Sequence, residues 1–107
     1  MTTGHFVDGI EVAWRPGCPF CVKLRSALSM RGVNTTETNI YTDGDAAARV
    51  RAAAGGNETV PTVFIGSKAL VNPSARQVIA TAKAELPGRD DLYGRGSLLS
   101  RALKTLS

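Results

Sequence analysis

Nowhere in these 107 residues is there an apolar run near the 20 or so residues that a bilayer-spanning helix needs. That excludes a membrane-spanning helix. The first residues, Met1-Thr2-Thr3-Gly4-His5-Phe6, lack a basic segment followed by an apolar one, so no secretory signal is expected. Histidine is almost missing. His5 is the only one, and its place near a terminus reads as surface rather than as a ligand or a base. Cysteine is scarce too, with Cys18 and Cys21 alone. Without an export signal the expected compartment is a reducing cytoplasm, where such a pair is catalytic or metal-binding more often than structural. A structural zinc usually takes four ligands, and only His5 and scattered carboxylates remain to complete one, so no metal is expected. The net charge of +4 comes partly from the tail, where Arg89, Arg95, Arg101 and Lys104 outnumber Asp90 and Asp91. No dense basic stripe with interleaved aromatics accompanies it, so a solvated surface is expected and no nucleic-acid partner. Repeats, low-complexity tracts and dinucleotide fingerprints are absent as well. What remains, at 43% hydrophobic and 21% charged, is one ordinary globular domain with a modest core.

The cysteines lie in Trp14-Arg15-Pro16-Gly17-Cys18-Pro19-Phe20-Cys21, spaced Cys-x-x-Cys. The apolar run Ile10–Trp14 before them predicts a strand, and Pro19–Arg31 after them predicts a helix. A dithiol on a strand-to-helix turn in a β-α-β pattern reads as a redox site. A thiol attacks a disulfide only as the thiolate. Cys18 falls just before the first helical turn, where unpaired N–H groups and the helix dipole favour an anion. Pro19 suits the first helical position. Arg15 adds positive charge, and no acidic residue lies between Glu11 and Glu37 to oppose it. Cys18 is therefore expected to be the attacking sulfur. Cys21, deeper in the helix, is expected to be more buried, more protonated, and the resolving sulfur.

Along the chain, residues before about Asp8 read as a loose end. On the first helix Phe20, Leu24, Ala27 and Leu28 mark an apolar face, with Lys23, Arg25 and Arg31 largely elsewhere. Gly32 suits the position past its end. Val33–Tyr41 reads as a second strand. Thr42-Asp43-Gly44-Asp45 offers capping oxygens, and the alanines from Ala46 to Ala54 favour a second helix with close packing, ended by Gly55-Gly56-Asn57. Thr62–Ile65 and Lys68–Val71 flank Gly66-Ser67, a hairpin with glycine first. Asn72 is a candidate cap, Pro73 a candidate opening residue, and Val78, Ile79 and Ala82 the inward face of a third helix that Pro87-Gly88 stops. A domain over residues 8–87 and a C-terminal extension over 88–107 follow. Leu92, Leu99, Leu103 and Leu106 share one side of a possible short helix in the extension, and docking on the domain is favoured over a partner contact or mobility.

The order β-α-β-α-β-β-α, with Cys-x-x-Cys before the first helix and Thr59-Val60-Pro61 before the third strand, resembles the thioredoxin fold, a four-stranded mixed α/β sheet with flanking helices. Cys18-Pro19-Phe20-Cys21 and Thr59-Val60-Pro61-Thr62-Val63 are similar to glutaredoxin motifs. Gly55-Gly56-Asn57-Glu58-Thr59-Val60-Pro61-Thr62-Val63, followed by Leu70-Val71-Asn72-Pro73-Ser74, resembles the mycoredoxins, actinobacterial relatives that use mycothiol in place of glutathione. The resemblance covers roughly Ile10 to Leu86, the length of one compact domain. It implies that Cys18 is the nucleophile, Cys21 the resolving cysteine and Pro61 a cis-proline facing the nucleophile. It also implies a thiol-binding groove from Arg15, Phe20, Thr59, Val60, Pro61 and Asn72. Phe20 supplies an apolar wall, and Arg15 assists the thiolate or meets polar groups of the ligand. Trp14 is either strand core or part of that groove. Glutaredoxins usually carry Gly-Gly and an acid after the hairpin. Val71-Asn72-Pro73-Ser74 has neither, which favours a thiol other than glutathione.

The activity these features imply is thiol–disulfide oxidoreduction on mixed disulfides between protein thiols and mycothiol. Alternatives are a glutathione-dependent glutaredoxin, or a dithiol redoxin fed by thioredoxin reductase, of the sort that serves ribonucleotide reductase. Iron–sulfur binding and a non-catalytic scaffold stand further off. No bound cofactor is implied; mycothiol or glutathione is a co-substrate, NADPH acts only through a partner disulfide reductase, and a monomer is expected.

Overall fold

Strand β1 (Val7–Trp14) runs through the middle of the molecule and decides what each face holds. The computed structural model describes residues 7–93. Ile10 and Val12 point to one side of the sheet and Glu11 and Ala13 to the other, the two-residue alternation of a strand. Helices α1 (Pro19–Met30) and α3 (Ala75–Glu85) cover the first face, and α2 (Gly44–Ala53) covers the second. The sheet order is β2-β1-β3-β4, with β2 (Thr36–Asn39), β3 (Thr62–Gly66) and β4 (Lys68–Val71). β2 lies parallel to β1, and β3 and β4 follow antiparallel. This is the mixed four-stranded thioredoxin-like sheet that the sequence implied.

The core has two halves. Ile10, Val12, Leu24, Leu28, Val63, Ile65 and Val78 fill the first, and Ala13, Ala46, Ala47, Val50 and Phe64 fill the second. Every residue of β3 is buried, as befits a strand with helices on both faces. The alanines of α2 pack close to the sheet, with Ala46 and Val50 fully buried. Asp43 caps that helix by accepting from the Ala46 N–H at 3.0 Å. Gly66 takes φ +56° in the two-residue turn between the paired residues Ile65 and Lys68, a backbone that suits glycine.

Several boundaries differ from the sequence reading, each for a physical reason. β2 is shorter than Val33–Tyr41. The Val33 N–H closes the end of α1 on the Leu28 carbonyl at 2.9 Å, and the Asn34 N–H bonds the Leu92 carbonyl at 2.6 Å, so pairing with β1 begins only at Thr36. β1 is longer than Ile10–Trp14, reaching Val7 through a register irregularity before Ile10. Asn72 does not cap α3. Ser74 does, in a capping box with Gln77, while Asn72 sits at φ +52° with its N–H on the Pro61 carbonyl at 2.7 Å. Leu92, in the extension, lies in a short 3₁₀ turn (Asp90–Tyr93) and is buried in the first core half. Leu99, Leu103 and Leu106 lie outside the described residues.

The polar side of α1 also needs correction. At about 100° per residue, Cys21, Leu24 and Leu28 form one stripe, and these are its buried residues. Phe20, Lys23, Ala27 and Arg31 form the neighbouring stripe. Phe20 is 61% exposed and does not belong to the core face.

Candidate active site

The turn after β1 brings the two sulfurs to the N-terminal end of α1. Cys18 is the helix N-cap, with extended backbone at φ −98°, and Pro19 opens the helix. The Cys21 N–H donates to the Cys18 Sγ at 3.2 Å. The Cys18 thiol in turn donates to the Val60 carbonyl at 3.6 Å. The sulfur thus has an amide donor at the start of the helix on one side and a carbonyl acceptor on the other. Both cysteines are free. Cys18 is 3% exposed and Cys21 is fully covered. Burial, with the hydrogen bond to Cys18 next, pushes the Cys21 thiol up to about 11, against the weaker pull of the Arg15 amide and charge. Cys21 is thus protonated at neutral pH, and its burial matches its depth in the helix.

Val60 and Pro61 stand across from Cys18, both buried, and the bond between them is cis. The Val60 carbonyl faces the sulfur itself. The Thr59 carbonyl accepts from the Thr62 hydroxyl at 2.7 Å, pinning the start of this segment to β3. Asn72, through its N–H on Pro61, ties the end of the hairpin to the same segment. Thr59, Val60, Pro61 and Asn72 therefore form one connected rim opposite the Cys18 turn. Arg15 is exposed, its guanidinium 3.5 Å from the Tyr41 hydroxyl, and its charge bears on both sulfurs.

Phe20 lines a cavity of about 500 Å³ between α1 and the start of α3, shared with Lys23, Arg31, Asn72, Pro73 and Arg76. Phe20 and Asn72 are thus brought together. Trp14 packs on the second core half with the Arg25 guanidinium 4.4 Å above its ring, which makes it strand core rather than groove. Among the described residues no three of His, Cys, Asp and Glu converge as metal ligands, and none of the helices is long and apolar enough to cross a membrane. His5 lies outside those residues.

Two features escaped the sequence reading. Glu11 is buried beneath α2, where Arg49 grips it at 2.7 and 3.1 Å and the Thr38 hydroxyl donates at 2.7 Å. The Arg49 hydrogen bond holds its carboxyl below the usual range in spite of burial. A glutamate in the middle of a central strand was the available signal. The basic stripe of α1 beside Phe20 was legible as an i, i+3, i+7, i+11 pattern over Phe20, Lys23, Ala27 and Arg31.

Comparison with known proteins bears on the family and the fold. The sequence profile of the glutaredoxin family matches residues 10–70. A protein of Mycobacterium tuberculosis named as a glutaredoxin is 41% identical over 64 residues, 59% of this chain and 76% of that protein. One from Synechocystis, also named as a glutaredoxin, is 31% identical over 75 residues, 65% of this chain and 68% of its own. Among solved structures, the glutaredoxin of Brucella melitensis superposes with a TM-score of 0.52 at 26% identity, over 89% of this chain and 97% of its own. The glutathione complex of a buckwheat glutaredoxin gives 0.52 at 24% identity over 73% of this chain and 72% of its own, a likeness of fold alone.

Proposed function

Since this chain belongs to the glutaredoxin family of thiol–disulfide oxidoreductases, we propose that it reduces mixed disulfides between protein thiols and mycothiol, with Cys18 as the nucleophile. The observation that carries this is the Cys18 sulfur at the head of α1, 3.2 Å from the Cys21 N–H and beside the Val60–Pro61 rim. The Cys18 thiolate attacks the mycothiol sulfur of the mixed disulfide. That S–S bond breaks, the protein thiolate leaves and takes up a proton, and mycothiol is left disulfide-bonded to Cys18. In the monothiol route a second mycothiol thiolate attacks the bound mycothiol sulfur, releasing mycothiol disulfide and regenerating Cys18. In the dithiol route Cys21 gives up its proton, attacks the Cys18 sulfur and expels mycothiol, leaving a Cys18–Cys21 disulfide for a partner reductase. Arg15, Phe20, Thr59, Val60, Pro61 and Asn72 form the binding edge.

Mycothiol is favoured over glutathione by the segment after the hairpin, which lacks the Gly-Gly pair and the acid that glutaredoxins usually carry there. Glutathione carries a free ammonium, whereas the amine of mycothiol is acylated. The side chains around the cavity that Phe20 and Asn72 share include no acid to meet an ammonium, and Val71-Asn72-Pro73-Ser74 supplies none. The intact Cys18–Cys21 pair also supports a second reading, a dithiol redoxin reduced by thioredoxin reductase. Turnover of one mixed-disulfide substrate with mycothiol, with glutathione, or with thioredoxin reductase and NADPH as the sole electron source distinguishes the three. Cys18→Ser is expected to abolish turnover, and Cys21→Ser to leave the mycothiol-driven monothiol route working. Full activity of Cys18→Ser overturns the proposal.

A further inference from the structure

We propose that the groove between α1 and the start of α3 receives an acidic, extended segment of the protein whose disulfide is being reduced. The inference rests on the thiol-exchange reading of Cys18 and names the partner chemistry that reading leaves open. The groove runs from Phe20, two residues after Cys18, along Leu24 and Ala27 to Arg31, with Arg76 on its other wall. Arg31 follows Cys18 by thirteen positions, which at 1.5 Å per residue is about 20 Å along the helix. A low-molecular-weight thiol bonded to Cys18 reaches about 10 Å, the span of three extended residues. The far half of the groove therefore lies beyond any small thiol, while an extended polypeptide covers the distance in about six residues.

Charge identifies the segment. Arg25, Arg49, Arg51 and Arg89 each have a carboxylate partner. Lys23, Arg31 and Arg76 are exposed, and no ion pair among the described residues involves them. All three line this one groove, no acidic side chain lines it, and the positive end of α3 opens onto it. Phe20, Leu24, Ala27 and Pro73 supply apolar surface between the cations. A nucleic acid would meet the charge, but Asn72 at the near end of the groove is bonded to Pro61, next to the Val60 that faces the Cys18 sulfur, and a sulfur that acts on disulfides favours a polypeptide. Glutamates or aspartates about five or six positions from the disulfide cysteine would reach Arg31, with Arg76 on the facing wall.

The test uses the full chain and synthetic peptides bearing one cysteine in mixed disulfide with mycothiol. Two residues, five and six positions to either side of the cysteine, are Glu, Ser or Lys. Bis(2-hydroxyethyl) disulfide serves as the uncharged small substrate. On one of the two sides, the Glu peptide is expected to exceed the Lys peptide in kcat/KM by roughly tenfold at low salt, shrinking as ionic strength rises. Arg31→Ala/Arg76→Ala is expected to erase the preference, and Arg31→Glu/Arg76→Glu to reverse it. Both variants keep the wild-type rate on bis(2-hydroxyethyl) disulfide. Equal rates on Glu, Ser and Lys peptides, or an unchanged order in the reversed variant, overturn the proposal. A wild type that reduces neither the peptides nor the small disulfide removes the thiol-exchange reading itself, a failure distinct from losing only the charge preference.

Discussion

If Cys21 is the resolving cysteine, its protonation sets the pace of the dithiol route. Its thiol is pushed from an ordinary 9.0 up to about 11, chiefly because it is buried. At pH 7.5 roughly one Cys21 in three thousand is then the thiolate, about a hundredfold fewer than for a thiol at its ordinary value. Once mycothiol is bonded to Cys18, that sulfur no longer hydrogen-bonds as a thiol, so the second cause of the elevation relaxes while burial persists. The rate of expelling mycothiol should therefore climb about tenfold per pH unit from pH 7 and level off between 9 and 11. The assay loads Cys18 with mycothiol, jumps the pH, quenches with acid and counts the adduct by mass spectrometry. Cys21→Ser provides the baseline without resolution. Iodoacetamide labelling of the free enzyme gives a second readout, with Cys21 unlabelled below about pH 9. A resolution rate that is flat from pH 7 to 8, or Cys21 labelled as readily as an exposed thiol, would refute the reasoning from burial.

Other outcomes follow from the packing. Arg49→Met strands the Glu11 carboxylate under α2 and should cost about 2 kcal/mol in urea unfolding, less than for a wholly buried pair because Arg49 is 31% exposed. Adding Glu11→Gln should recover part of the loss. Because Arg49 lowers the Glu11 carboxyl, that stabilisation is present above the ordinary 4.5 and lost as pH falls through the lowered value. The gap between wild type and Arg49→Met should therefore close in acid, and a gap that persists there counts against the pair. Leu92→Ala removes a side chain buried in the first core half and should cost about 3 kcal/mol. A change under 0.5 kcal/mol by thermal unfolding would mean that the turn at Asp90–Tyr93 contributes nothing to the domain.

Much of the site could be read from local rules, because those rules act over a few residues. Cys-x-x-Cys after an apolar run, with Pro19 in the first helical position, places Cys18 at an N-cap whatever lies around it. Gly66-Ser67 between two apolar strands specifies the hairpin. Misreadings arose where one residue type satisfies two local rules. Asn72 is a good cap and also tolerates left-handed backbone, and its bond to Pro61, eleven residues earlier, selected the second role. Phe20 is apolar at helical spacing, yet it stands one stripe away from the core, since α1 turns Cys21 and not Phe20 toward the sheet.

The order of residues was enough to set the element sequence, the dithiol at a helix start and the protonated character expected of the second cysteine, for each depends on neighbours in the chain. Long-range contact decided the rest. It set the Val60 carbonyl 3.6 Å from a sulfur forty-two residues away, paired Glu11 with Arg49 beneath α2, and drew Leu92 into the core. It also gathered Lys23, Arg31 and Arg76 from two helices onto one groove. Burial and charge pairing depend on which elements meet, and no window along the chain contains both partners.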